Sequence, residues 1–329
     1  MTKDLKSFLV IVLVIGAFFY GYLTVKSLLP VLPSLEKPIV LYSSQTRQSL
    51  KGTILKAISN TKKSLFVVMF GLSDLAILEA LEDRSKEGVK VKLFYDLRSS
   101  PLIEKPSFQI EKNQKGGLMH QKIIVSDDKM VFLGSANLTS SSLSMHGNLL
   151  VGFYSPAMAR FLTQKAPNSR GACFRGLVGN QSVEVFLLPD IKKEAIASLL
   201  RMLRLAKQSI HLAMFTLTYP VLINELIDAK KRGVDVTVII DARSGMGIGS
   251  KTIAALKKAQ VNVMLSSGIE LLHYKHLIID DKILVSGSAN WTKAAFFKNR
   301  DCFFILRNLN KDQVIFLKNL KSILEKETL

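Results

Sequence analysis

The sequence predicts an α/β protein of two similar halves, each a mixed β-sheet flanked by helices, and two observations carry that expectation. One motif occurs twice. His120, Lys122 and Asp127 share the spacing H-x-K-x4-D with His273, Lys275 and Asp280, and each copy continues into Gly-Ser-Ala-Asn, at residues 134–137 and 287–290, with the same distance from His to Asn. The β/α rhythm also recurs at a constant offset. Residues 64–70 match 209–215, Gly88 matches Gly233, the run ending at Asp96 matches the run ending at Asp241, and Arg98-Ser99 returns as Arg243-Ser244. A chain of 329 residues holds one large or two ordinary domains with a full core, and the repeat favours two.

In chain order, residues 8–25 carry no charge and are long enough to cross a bilayer. Lys3 and Lys6 precede them, and Tyr20 and Tyr22 lie where an interfacial belt forms. The expectation is an N-terminal transmembrane anchor within residues 1–29, with the basic leader inside and the body on the extracytoplasmic side. A cleaved signal peptide, which would release the body, and a buried core helix are the alternatives; no A-x-A-like site follows the apolar run. Residues 30–38, with prolines at 30, 33 and 38, read as a stiff spacer. The first half is expected at 39–165, a linker at 166–180 containing Pro167 and three glycines, and the second half at 181–329.

Within the first half, residues 50–60 are amphipathic at helical spacing, and 64–70 form a short apolar run suited to a buried strand. Ser73 or Asp74 caps a helix through Ser85; Gly88 ends it, and residues 89–96 form a second buried strand. The motif runs 122–126 and 275–279 are short apolar strands whose alternation projects His and Lys together. Asp-Asp-Lys turns follow, then return strands at 130–133 and 283–286, each delivering an Asn before a helix that starts at Leu138-Thr139 or Trp291-Thr292. Extra residues after Ser244 form a glycine-rich loop at 245–249, read as a flexible substrate rim or a plain surface insertion.

Lys and Arg number 45 against 26 Asp and Glu, a formal net charge of +19, so polyanions are the expected partners: nucleic acid, anionic membrane or acidic small substrates. Two cysteines, Cys173 and Cys302, exclude a disulfide-stapled scaffold while leaving one bridge open. No C-x-x-C or H-x-x-x-H spacing suggests a zinc site, and no cofactor or obligate protein partner is implied.

The residue types name a chemistry. Cleaving a phosphodiester without metal needs a nucleophile, a proton donor for the leaving oxygen, and donors for charge growing on the non-bridging oxygens. Neutral imidazole attacks phosphorus, a second imidazole as imidazolium protonates the leaving group, lysines supply charge and asparagines supply N–H donors. Each half carries half of this equipment, so the two motifs are expected to meet at one site.

The paired motifs with Gly-Ser-x-Asn resemble the phospholipase D superfamily over roughly residues 40–325. That resemblance implies two halves about a pseudo-twofold and a covalent phosphohistidine mechanism. It makes His120 the nucleophile and His273 the acid, an order that near symmetry leaves open. Lys122, Lys275, Asn137 and Asn290 complete the catalytic set, with Ser135 and Ser288 of the tetrapeptides in support. The family also places a carboxylate a fixed distance beyond each Asn to orient an imidazole. Asp301 fits that place after Asn290, whereas Asn148 stands there after Asn137, so the two imidazoles should differ in basicity. Asp301 is free to serve the histidine of either half.

Several residues have plainer roles. Asp127 and Asp280 are expected to fix their turns, His211 to be a satisfied core residue, and Met69-Phe70 and Met214-Phe215 to be core packing. Three functions follow. The first is a membrane-anchored nuclease; the second, a phospholipase D or phosphatidyl transferase; the third, a noncatalytic anchored polyanion-binding protein. The rim loops 99–119 and 244–272 are mixed: Leu102, Ile103 and Phe108 are apolar, while Lys105, Lys112 and Lys115 are basic.

Overall fold

The structure is a computed structural model that describes residues 30–328 other than 268 and 269, together with residues 12, 14–16 and 18. The chain divides into two units, Met1–Val31 and Leu32–Leu329, and the second holds both motifs. Apart from those five isolated positions, the expected span at 8–25 lies outside the described residues; among the described residues no helix is long and apolar enough to cross a membrane.

Two mixed sheets form the second unit. The first contains β1 (Ile39–Ser43), β2 (Ser64–Met69), β3 (Lys90–Asp96), β4 (Gln109–Asn113), β5 (Lys122–Ser126), β6 (Met130–Gly134) and β7 (Leu149–Tyr154), in the order β1-β7-β6-β5-β2-β3-β4. The second contains β8 (Cys173–Val178), β9 (Gln181–Leu187), β10 (Ser209–Met214), β11 (Asp235–Ile240), β12 (Asn262–Leu265), β13 (Lys275–Ile279), β14 (Ile283–Gly287) and β15 (Cys302–Arg307), in the order β12-β11-β10-β13-β14-β15-β9-β8. Strands β2, β3 and β4 run parallel, as do β10, β11 and β12, and every other pairing is antiparallel. The motif strands β5 and β13 sit mid-sheet and are buried along their whole length, which is why a short apolar run follows the motif lysine in β5 and Lys275-His276 in β13.

The inner faces of both sheets share one core with the helices Pro156–Lys165 and Lys311–Lys326. Phe153 of β7 meets Phe304 of β15 edge-on, with ring centroids 5.2 Å apart. Each such side chain taken out of water contributes about 1.5–3 kcal/mol, so this shared layer fixes one half against the other. Two further apolar clusters cover the outer faces, one per sheet. They are closed by the helices Leu50–Ser59 and Leu75–Lys86 on the first sheet and by Glu194–Leu205 and Pro220–Lys231 on the second. Asp74 caps the helix Leu75–Lys86 by accepting the Ile77 amide at 3.3 Å, and Gly88, at φ +88°, turns the chain into β3 as Gly233, at φ +87°, turns it into β11.

Two segments differ from the sequence reading. The expected linker 166–180 contains β8, which pairs with β9 through a turn at Gly179, φ +57°, and Asn180. That Gly-Asn pair is a hairpin signal, and it moves the joint to the residues before Cys173. The expected loop at 245–249 is shorter than expected: Gly247, Ile248 and Gly249 turn between two short helices, Ala242–Met246 and Ser250–Lys258. The Asp241 carboxylate starts the first by accepting the Ser244 amide at 3.0 Å, and Thr252 and Leu256 bury one face of the second. Both cysteines are free thiols.

Candidate active site

The ends of β4, β5 and β13 and the segments entering β7 and β15 converge, because the halves exchange backbone. The His120 amide donates to the Arg300 carbonyl at 2.7 Å, the Arg300 amide to Leu118 at 2.8 Å, and on the matching side the Gly147 amide to Leu271 at 2.8 Å. These crossings carry the residue before β15 beside one histidine and the residue before β7 beside the other. His120 Nδ1 lies 2.7 Å from Asp301 Oδ1, and His273 Nδ1 lies 3.0 Å from Asn148 Oδ1. Each imidazole is therefore oriented by the opposite half, which answers for Asp301 the question left by the sequence.

Each orienting group is itself held by its motif serine. Ser288 Oγ donates to Asp301 Oδ1 at 2.7 Å and accepts the Cys302 amide; Ser135 Oγ donates to Asn148 Oδ1 at 2.8 Å and accepts the Leu149 amide. Asn148 Nδ2 donates to the Ser142 carbonyl at 2.8 Å, so its oxygen must face His273, whose Nδ1 must then carry the proton. A carboxylate in that place would set a bare oxygen against a carbonyl, a physical reason for Asn where the family pattern has an acid.

Lys122 and Lys275 are 2% and 3% exposed and fold back on their motifs, Lys122 Nζ donating to the His120 carbonyl at 2.9 Å and Lys275 Nζ to the His273 carbonyl at 2.7 Å. Their ammonium groups also lie over aromatic rings, 5.2 Å from the Phe70 centroid and 4.9 Å from that of Phe215. The same rings pack on the imidazoles, at 4.8 Å for Phe70 on His120 and 5.2 Å for Phe215 on His273. Of the pairs expected to be core, Met69 and Met214 are buried, but Phe70 and Phe215 are half-buried walls of the site. Their recurrence just past the ends of β2 and β10 was the available signal, since parallel strands present functional residues at their carboxyl ends.

Burial pushes both lysines down, Lys122 to about 8 and Lys275 well below the ordinary lysine range, the latter also through repulsion by Lys122. Burial likewise lowers both histidines, and the lysine charges lower them further; the Asp301 carboxylate partly opposes this at His120. Burial raises the Asp301 carboxyl, but the His120 and Lys122 contacts outweigh it and leave the group below the usual carboxylate range. Two crowded lysines facing one carboxylate leave surplus positive charge, an anion site. Asn137 Oδ1 accepts the Gly71 amide at 3.3 Å, which leaves its Nδ2 to donate; Asn290 Oδ1 is buried without a partner among the described residues. Among the described residues no three or more His, Cys, Asp or Glu side chains group as a metal cage.

The remaining expected residues fall outside the site. Asp127 accepts the amides of Lys62, Lys63 and Ser64, and Asp280 those of Lys207, Gln208 and Ser209, so each ties a motif hairpin to the entry of its neighbouring strand. His211 is half-buried; Nε2 lies 3.0 Å from Lys321 Nζ, and Nδ1 has no partner among the described residues, so it is only partly satisfied.

The chain matches the family model described as "Cardiolipin synthase, PLD-like domain" over residues 54–167 and 199–322. It is 32% identical over 133 residues to the mitochondrial cardiolipin hydrolase of Mus musculus, 40% of this chain and 59% of that protein. It is 29% identical over 103 residues to the phospholipase D of Rickettsia bellii, 31% of this chain and 51% of that protein. The alignments thus span about half to three fifths of those relatives. In fold it resembles the phosphatidylserine synthase of Haemophilus influenzae, with a TM-score of 0.69 at 13% identity, covering 91% of this chain and 88% of that one. With the motif occurring twice and each copy supported from the opposite half, the chain belongs to the phospholipase D superfamily, through its PLD-like domain.

Proposed function

We propose that the chain is a metal-independent phosphodiesterase working through a phosphohistidine, with nucleic acid as its substrate. The single observation that supports this most is the reciprocal pairing of His120 with Asp301 and of His273 with Asn148. A carboxylate on Nδ1 makes Nε2 of His120 the better nucleophile and offsets the charge of a phosphorylated imidazole. His120 Nε2 attacks phosphorus, the bond from phosphorus to the leaving oxygen breaks, and His273 gives that oxygen its Nε2 proton. His273 then takes a proton from water; the water oxygen attacks phosphorus, and the P–N bond to His120 breaks. Lys122, Lys275, Asn137 and Asn290 donate to the non-bridging oxygens throughout. Entry of a phosphate anion offsets the lysine charges, which raises His273 toward the protonated form it needs.

The nucleic-acid reading draws on the net charge of +19 and on a cationic rim at Lys115, Arg170 and Lys298. Met246 and Ile248, exposed at the second-half rim, favour a second reading, hydrolysis of membrane phospholipid, in keeping with the name of the mouse relative. Residues 8–25 would anchor the body on the extracytoplasmic face, a reading carried by the sequence alone. The test offers single-stranded DNA, RNA and cardiolipin vesicles side by side to the full chain in EDTA. Cleaved nucleic acid with intact lipid supports the first reading, and released lipid products with intact nucleic acid replace it with the second.

A further inference from the structure

The two flanks of the site, matched in backbone, differ in what lies beyond the crossing. On the flank of His273 the crossing residue is Gly147, and no side chain fits: a Cβ there would come 2.7 Å from Tyr274 and 2.9 Å from Gln45. The Tyr274 hydroxyl closes that flank by bonding Ser43 Oγ and Gln45 Oε1. On the flank of His120 the crossing residue is Arg300, and a cavity of about 220 Å³ opens beside it, lined by Lys115, Gly117, Asn168, Arg170, Lys298 and Arg300.

Four cations and no carboxylate line this cavity. Arg300 is positioned by neutral groups, its Nη1 donating to Asn168 Oδ1 at 2.9 Å and its Nη2 to Asn113, and Lys115, Arg170 and Lys298 form no ion pair among the described residues. The Asp96 carboxylate, which Asn113 also bonds, attracts Arg300 while Arg170 and Arg98 repel it, so the cluster keeps a surplus of positive charge that an anion would offset. The cavity adjoins the site through Arg300, which lines the cavity, precedes Asp301 in the chain and accepts the His120 amide on its carbonyl at 2.7 Å.

We infer that this cavity holds a second phosphate of the substrate, the phosphodiester next to the scissile one in a nucleic-acid strand. The inference rests on the phosphodiesterase reading above and assigns the strand a direction, leaving the site past His120 and blocked past Tyr274. A point-charge cluster suits a backbone phosphate read without regard to base.

The test is equilibrium binding to full-length His120→Ala protein, so it does not depend on turnover. The probes are a thymidine dinucleotide with its single internal phosphate and the same dinucleotide with an added 5′- or 3′-terminal phosphate. One terminal phosphate is expected to tighten binding about tenfold, with the other end giving no gain, as one charge-assisted contact set allows. In the same protein carrying Arg170→Ala and Lys298→Ala the gain should fall below about twofold, and with Arg170→Lys and Lys298→Arg it should persist. No gain at either end, or a gain that survives the alanines, overturns the subsite. A parallel pair, short-chain cardiolipin against short-chain phosphatidylglycerol, overturns the nucleic-acid assignment if only the lipid pair shows the gain. Loss of all phosphodiester cleavage by the unmutated chain, with the binding gain intact, would overturn the catalytic reading and spare the subsite.

Discussion

The two halves build the same hairpin, the same buried lysine and the same aromatic wall, yet they give their histidines different company. His120 meets a carboxylate, itself held by Ser288; His273 meets an amide whose oxygen is turned inward because its nitrogen is committed to the Ser142 carbonyl. A carboxylate stabilises positive charge on its imidazole through both protonation and phosphorylation, whereas an amide fixes only the tautomer. Duplication alone would give two equivalent histidines. The difference of one residue type at matched positions separates a group suited to carry phosphorus from one suited to hand over a proton.

The largest expected effect erases the shared chemistry. His120→Ala and His273→Ala should each lower kcat for a nucleic-acid or lipid diester by about 10⁴-fold or more, with unchanged thermal unfolding. Next come the lysines: Lys122→Ala or Lys275→Ala should cost about 10²–10³-fold in kcat/KM, measured under single-turnover conditions, by removing charge from the non-bridging oxygens. Wild-type rates in either would reduce these buried cations to a structural role.

A smaller change makes the two sides alike. Asp301→Asn should lower kcat about 10- to 100-fold. Because the carboxylate is what raises His120 against burial and Lys122, its loss lowers that imidazole further, so the acid limb of the kcat/KM profile should move to lower pH. A limb that stays in place would detach Asp301 from the basicity of His120. In the unmutated protein, His273 is held well below 6.5, so its proton leaves early as pH rises. With an alkoxide leaving group, kcat/KM should therefore fall above a pH lower than 6.5. The smallest effect lies outside the site: Asp127→Ala or Asp280→Ala should cost about 1 kcal/mol of stability, read by urea titration, through the lost amide bonds, and leave kcat per folded molecule unchanged.

Much of the site was legible because it is written twice. A fixed spacing placed His120, Lys122 and Asn137 at equivalent points of a strand hairpin, and charge logic required the halves to meet. Contacts between residues far apart in the chain were not legible, since no local pattern tells Asp301 to reach across to His120 rather than its own His273. Phe70 and Phe215 were hidden for a related reason: a large apolar residue at the end of a buried strand has the same signature whether it faces the core or lines a cleft. The cationic cavity draws Lys115, Arg170 and Lys298 from three separate segments, each an ordinary surface charge by itself. Strand β8 was missed because a short Cys-Phe-Arg-Gly-Leu-Val run gives little periodicity, and only its Gly-Asn turn marks it.

The division of labour is open to one measurement. With bis(p-nitrophenyl) phosphate the leaving group needs no proton, so His273→Ala protein should still form a covalent adduct on His120 and then stall, because the base that activates water is gone. Intact-protein mass spectrometry with site mapping should find a near-stoichiometric p-nitrophenylphosphoryl adduct on His120 in the His273→Ala protein, with one p-nitrophenolate released per adduct, and none in the His120→Ala protein. Adduct on His273 in the His120→Ala protein, with none in its counterpart, would reverse the roles and contradict the account.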